Sequence, residues 1–267
     1  KGTRAMSKRI PMEKLPNTRD LGGMIGYGGR AVRPGMLIRS GQLAEATPAD
    51  LEELSRRIEL VVDFRNMDEH VNVPDPEMPG VRQVHLPILQ GQGPVAHDEE
   101  SRRQAMLSLF EDADKPKAVM THIYEDFVAN PYCRGKYREF LMLIAEEREK
   151  AALWHCAAGK DRAGFATVLV QELLGVSRDD IFEDYMATNV YLEEVIRKMT
   201  EDNARLTGLN DRAHREAMGY MFGARIELIR AVYDKTEELF GGFEGLFTEG
   251  MQIPYGQIER MRERFLA

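Results

Sequence analysis

Cysteine is scarce in this chain. Cys133 and Cys156 are the two among 267 residues, which gives no disulfide framework and fits a reducing compartment. Long apolar runs are missing: no stretch approaches the ~20 residues of a membrane-crossing helix, so no integral membrane segment is expected. No signal peptide is visible, and Lys1 to Ala5 read as additions ahead of a natural start at Met6 or Met12. A cytoplasmic location is expected, with secretion by a signal-free route left open. Positive charge is in deficit, 36 Lys and Arg against 44 Asp and Glu, a formal −8. Nucleic-acid backbones need a basic stripe, so general nucleic-acid binding is not expected. The six histidines lack metal-ligand spacing, so no metal site is expected. The Gly-x4-Gly-Lys-Ser/Thr order of a nucleotide loop is absent, and no repeats or low-complexity tracts occur. Hydrophobic content of 43% supports a full core, in one large domain or a domain with an added lobe.

One stretch organises what is present: Trp154-His155-Cys156-Ala157-Ala158-Gly159-Lys160-Asp161-Arg162-Ala163-Gly164. The apolar run Ala151 to Trp154 before it predicts a short buried strand. The helical pattern from Phe165 to Leu174 after it closes at Gly175. A cysteine therefore ends a strand, and an arginine five residues later opens a helix. Backbone N–H groups of such a loop can turn inward as a nest for an anion, and the helix N-terminus adds unpaired donors. Gly159 can take a positive φ at the tight point. The Arg162 guanidinium can grip two phosphate oxygens. The same positive field favours the thiolate of Cys156, a nucleophile for phosphoryl transfer. Lys160 reads either as a second phosphate contact or as a solvated lysine at the loop rim.

His155-Cys156-x5-Arg162 resembles the loop of cysteine-dependent protein tyrosine phosphatases. Its inner Gly159-Lys160-Asp161-Arg162 is similar to the atypical bacterial branch, which acts on phosphotyrosine and often on phosphoinositides. The resemblance extends to Asn17-x-Arg19-Asp20-Leu21-Gly22-Gly23, to Arg39-Ser40-x-x-Leu43, to Asp63-x-Arg65, and to Asp184-Tyr185-x-x-Thr188-Asn189. It implies the tyrosine phosphatase fold, a phosphorylated protein or phosphoinositide as partner, and no cofactor. It implies Cys156 as nucleophile, Arg162 as phosphate clamp and Asp161 as general acid, since no Trp-Pro-Asp triplet exists here. Asp63 and Asp126 are the fallback acids. His155, Ala157, Ala158, Gly159, Lys160, Ala163 and Gly164 then line or support the phosphate, with Asp63, Arg65, Arg19 and Asp20 nearby. Arg19–Asp20 also reads as an ion pair that fixes a turn. Ala163 departs from the family, which has threonine or serine after the arginine.

In chain order, Tyr27 to Arg30 looks like a hairpin tip and Met36 to Ser40 a strand. Thr47-Pro48-Ala49-Asp50 starts a helix. Leu60 to Arg65 reads as a central parallel strand with charge at its carboxyl end, where ligands gather in open α/β sheets. Val73 to Gly80 is a loop, and Val81 to Pro87 a further strand. Gly91 to Glu100 is polar and expected to be mobile. Helices follow over 101–110, 117–129 with Tyr124, and 137–145; Cys133 reads as a plain small residue. After Ser177, the residues Ile181, Tyr185, Leu192 and Val195 fall on one helical face. Residues 197–223 have weak periodicity and are a candidate helical lid; Arg225 to Phe240 and the segment after Pro254 are helices. The expected fold is α/β, a short, mainly parallel sheet flanked by helices with helical additions, in one domain over 1–267. Two other classes stay open: a phosphotyrosine-binding pseudophosphatase, and an arsenate-reductase-type enzyme that would need Cys133 as its resolving cysteine. Nothing in the sequence sets the oligomeric state.

Overall fold

The computed structural model describes residues 6–90 and 99–267. Residues 1–5 and most of the polar stretch at 91–98 lie outside the described residues. The chain runs through β1 (Lys8–Arg9), β2 (Arg19–Asp20), β3 (Leu37–Ser40), α1 (Pro48–Arg57), β4 (Ile58–Asp63), α2 (Met67–Asn72) and β5 (Arg82–His85). Helices α3 (Glu99–Phe110), α4 (Lys115–Ala129) and α5 (Pro131–Ala145) lead to β6 (Ala151–His155) and α6 (Arg162–Leu173). Then come α7 (Arg178–Tyr191), α8 (Glu193–Thr207), α9 (Arg212–Phe222), α10 (Ile226–Phe240), the single turn α11 (Phe243–Gly245) and α12 (Tyr255–Phe265).

Among the described residues six strands form one sheet in the order β1-β2-β3-β6-β4-β5. The last four are mutually parallel and β1 and β2 are antiparallel at the edge. The apolar strands are buried on both faces, as parallel strands covered by helices must be. Side chains alternate across them: Ala152 and Trp154 of β6, with Leu60 and Val62 of β4, enter the larger core beneath α4, α5 and α6. Ala151 and Leu153, with Val61 and, beyond a register shift between Ile58 and Leu60, Ile58, enter a smaller core with Leu54 of α1. Capping sets the start of α1. The Thr47 hydroxyl accepts from the Asp50 amide at 3.2 Å, and Asp50 accepts from the Thr47 amide at 3.3 Å, the reciprocal box that satisfies two orphan donors.

The parallel register aligns three strand ends, with Ser40 and Asp63 both beside His155. The cysteine loop leaves this common carboxyl edge. One expected element differs. The helix after Ser177 does not run on to Val195: it ends at Tyr191, and a new helix starts at Glu193. Leu192 stays buried while Val195 is exposed, because the break at Leu192 takes Val195 off the shared face.

Candidate active site

Residues 156–161 form a tight loop between β6 and α6, and its carbonyls are held from outside. The Gln42 amide donates to the Ala157 carbonyl at 2.8 Å, Asn17 Nδ2 to the Ala158 carbonyl at 3.0 Å, and Arg39 to the Gly159 carbonyl. His155 Nδ1 lies 3.1 Å from the Cys156 carbonyl. A peptide plane whose C=O points outward turns its N–H inward. Among the described residues no protein acceptor meets the amides of Ala157 to Asp161. The result is a concave set of backbone donors at the first turn of α6, suited to an anion. Gly159 makes the bend possible, with φ +71° and a Cβ position only 2.3 Å from the Ser40 carbonyl oxygen. Trp154 ties strand to helix: its indole N–H donates to Thr167 Oγ1 at 3.1 Å and to the Ala163 carbonyl at 3.3 Å.

Cys156 is 2% exposed at the end of β6. Arg162 opens α6 and is gripped by Glu69 of α2, Nη1 to Oε2 at 2.6 Å and Nη2 to Oε1 at 3.0 Å. Burial works against the guanidinium charge, but Glu69 outweighs it and raises the Arg162 pKa. The same pair holds the Glu69 carboxyl below its ordinary range despite burial. Tyr137 Oη donates to the Arg162 carbonyl at 3.1 Å. Ala163 and Gly164 are buried in the first turn of α6.

Asp161 sits at the N-cap of α6 without capping it. Its Oδ1 instead accepts from Tyr124 Oη at 2.7 Å, and Tyr124 in turn contacts Tyr185 Oη at 2.7 Å. Burial, then the Asp161 charge, pushes the Tyr124 hydroxyl well above its ordinary pKa, so it stays a donor. Asp161 is 26% exposed, so both solvent and a ligand can reach it. Lys160 is not a rim residue. It is 2% exposed, and its Nζ donates to the carbonyls of Met221 at 2.8 Å and Gly223 at 3.0 Å, beside Asp161 Oδ1 at 3.2 Å. It thus caps the carboxyl end of α9, where the helix dipole favours a cation.

Several expected neighbours lie behind the loop. Asp63 is chelated by Arg65, both Nε and Nη2 at 2.9 Å, and approached by His70 Nδ1 at 2.9 Å. Burial raises its pKa, but the Arg65 guanidinium and the hydrogen bonds around it hold the carboxyl far below the ordinary range, which unsuits Asp63 as a fallback acid. Asp126 lies 3.8 Å from His122 on an exposed stretch of α4, two residues from Tyr124 and hence on another face. His155 is fully buried, with Nε2 2.7 Å from Asp75 Oδ2 but outside hydrogen-bond alignment. Arg19 and Asp20 do not pair, because neighbours on a strand point to opposite faces. Arg19 Nε lies 3.6 Å from Asp184 Oδ1, while Asp20 accepts from the amides of Gly22 and Gly35. Asp184 also approaches Arg39. Arg39 is pushed down to about 9 by burial and by Arg19, still cationic at neutral pH.

Glu69 and Asp75 escape sequence reasoning. Asn66-x-x-Glu69 has the form of a helix start, but nothing local ties Glu69 to an arginine 93 positions away. Nor does spacing reveal that Asp63, His70 and His85 bring possible metal-ligand atoms within 4.8 Å of one another, as do Asp63, Asp75 and His155. Arg65 already neutralises the carboxylate common to both groups, which opposes a further cation there. Cys133 is buried, its thiol donating to the Ile88 carbonyl at 3.3 Å. Burial raises its pKa to about 11, which leaves no thiolate for a resolving role.

The sequence profile of the tyrosine phosphatase family matches residues 10–267. The chain belongs to that family. A family relative in Cupriavidus necator, named as a candidate tyrosine-protein phosphatase, is 38% identical over 190 residues; these cover 67% of this chain and 63% of that protein. The triple specificity protein phosphatase PtpB of Mycobacterium tuberculosis is 27% identical over 255 residues, 87% of this chain and 91% of its own. A tyrosine-protein phosphatase of Nostoc commune is 25% identical over 236 residues, 88% and 75%. The six-stranded, mostly parallel sheet with flanking helices is the α/β arrangement expected of a tyrosine phosphatase.

Proposed function

We propose that this protein is a cysteine-dependent phosphatase that hydrolyses phosphotyrosine, and also phosphoinositides, through a phosphocysteine intermediate. The observation that carries this reading is the ring of amides from Ala157 to Lys160, which meet no protein acceptor among the described residues and lie in the chain between Cys156 and Arg162. A phosphoryl group in that ring has its equatorial oxygens held by backbone donors and by the guanidinium. Cys156 Sγ forms a bond to phosphorus as the bond to the leaving oxygen breaks, and Asp161 gives that oxygen its proton. Water then attacks phosphorus and returns a proton to Asp161. The S–P bond breaks and the thiolate is restored. Tyr124 orients the acid through its 2.7 Å hydrogen bond.

The name of PtpB, triple specificity, supports a substrate class broader than phosphotyrosine. Lys160 is the side chain for a second phosphate, and it would have to exchange the Met221 and Gly223 carbonyls for that group. Residues 197–223, on α8 and α9, act in this reading as a lid on one phosphatase domain, and the protein works in the cytoplasm. Ala163 favours a second reading, a phosphotyrosine-binding protein with poor turnover, since no hydroxyl follows Arg162. Steady-state hydrolysis of para-nitrophenyl phosphate decides between them. Turnover that Cys156→Ser abolishes is expected; no turnover, with tight binding of a phosphotyrosine peptide, selects the second.

A further inference from the structure

We propose that the cavity between α3, α8 and α9 binds an adenine nucleotide, with Asn203 reading the edge of the base and Arg102 holding the phosphate. No residue of the cysteine loop lines this cavity, and the proposal does not depend on the phosphatase reading. The cavity holds about 580 Å³, inside the range of small-ligand sites. Its walls are apolar: Met106 of α3, Met199 and Leu206 of α8, and Phe222 at the end of α9. Met106 and Phe222 pack against a small core of Phe110, Ala204, Ala217 and Met218. The Phe222 ring is set against that of Phe110, centroids 6.1 Å apart. Arg103 Nε donates to the Leu206 carbonyl at 3.2 Å and ties α3 to α8.

One wall residue does not suit an apolar cavity. Asn203 is 6% exposed, and its Oδ1 is buried without a partner. Burying a carboxamide unmet is costly, so such groups are normally paired. Asn203 stands one turn from both Met199 and Leu206 on the same face of α8, and it lines the cavity with them. A carboxamide offers a donor beside an acceptor. Its complement is an acceptor beside a donor, on a flat body that apolar side chains can cover. The adenine edge, N7 beside the N6 amino group, meets that description, whereas guanine shows two acceptors there, N7 and O6. Phe222 offers a ring on which a base can stack, and the Met106 and Met199 thioethers offer sulfur contacts to it. An alkyl chain would suit the same walls but would leave Asn203 unmet.

The charges at the rim fit the rest of a nucleotide. Arg102 is exposed and has no partner among the described residues, so its guanidinium is open to a phosphate. Glu99 stands one turn before it on α3, and Asp202 is paired with Arg205 on α8. Carboxylates of this kind accept hydrogen bonds from ribose hydroxyls.

The test follows the methionine methyl groups by carbon-13 NMR in the full chain, with adenosine monophosphate (AMP), GMP, adenosine and dodecanoate as probes. Met106→Leu and Met199→Leu identify the two cavity signals. AMP is expected to shift both signals saturably, with GMP bound about tenfold more weakly or worse, and Asn203→Leu should weaken AMP by a similar factor. Arg102→Ala, at an exposed position that does not threaten folding, should weaken AMP about tenfold and leave adenosine unchanged, with an unaltered melting curve. Equal affinity for AMP and GMP, or AMP binding untouched by Asn203→Leu, overturns the reading of the base. Equal weakening of AMP and adenosine in Arg102→Ala overturns the phosphate contact and with it the nucleotide. Dodecanoate that moves the two signals where AMP does not would assign the cavity to an apolar chain. AMP that binds without moving them sits elsewhere, at the cysteine loop. Each of these results overturns the proposal, as does the absence of a shift with every probe.

Discussion

Ala163, the residue directly after the Arg162 fork, carries only a methyl group. A hydroxyl there would donate toward the cysteine sulfur and stabilise it as it leaves phosphorus. Thr167 does not substitute for it: its hydroxyl donates to the Ala163 carbonyl at 2.8 Å and accepts from Trp154. The second chemical step should therefore be slowed about tenfold, for one missing bond of about 1.5 kcal/mol. Rapid-quench kinetics should show a burst of phenol, a slow steady state, and phosphocysteine trapped at low pH. Ala163→Thr should raise the steady rate and leave the burst rate alone; no burst and no gain would mean that water already supplies the donor. In the proposed mechanism Asp161 is the other single residue on which turnover depends. Asp161→Asn should lower kcat by about 10² or more on a poor leaving group and little on a good one. Equal losses on the two substrates would move the acid elsewhere. Both residues stand in the cysteine loop motif and were legible there. The contact of Arg162 with Glu69 was not, because it joins residues 93 positions apart with no sequence period.

The Lys160 side chain attaches helix α9 to the loop. Lys160 satisfies carbonyls of its last turn, and just beyond, Asn189 both donates to and accepts from the Ala224 backbone, at 2.9 and 2.7 Å. Removing the lysine leaves helix-end acceptors unpaired, at a cost of about 1–3 kcal/mol. Lys160→Ala should speed amide exchange across residues 212–223 by tenfold or more while β6 stays protected. Unaltered exchange in α9 would show that packing alone holds it. Elements with strong local signals, such as α1 behind its capping box, were readable from sequence. The break at Leu192 was not, since burial of Leu192 and exposure of Val195 depend on what packs there.

Across the whole molecule, two buried carboxylates are expected to weaken the fold in acid. Asp63 is held low by Arg65 and the nearby histidines, and Asp184 by Arg19 and Arg39, each against the opposing effect of burial. A depressed folded-state pKa gives stability that is complete above the unfolded value, about 3.9 for Asp, and is lost as pH falls toward the folded value. Asp63→Asn should cost about 3 kcal/mol at pH 7 in urea denaturation, and the gap should narrow near pH 2.5. An equal gap at both values would mean that the shape of the hydrogen bonds matters and the charge does not.

The order of strand, loop and helix around Cys156 was determined by the sequence alone. A short apolar run, a glycine needing positive φ and a largely apolar helical stretch closed by Gly175 are local properties, and each residue carries its own share of them. The partners of the charged groups were decided only by tertiary structure. Arg19 turned from Asp20 to Asp184, Lys160 from solvent to α9, and Arg162 found Glu69. The physical reason is desolvation. A buried charge takes whichever opposite group the packed chain brings within reach, and that choice is made by the distances between elements after they assemble.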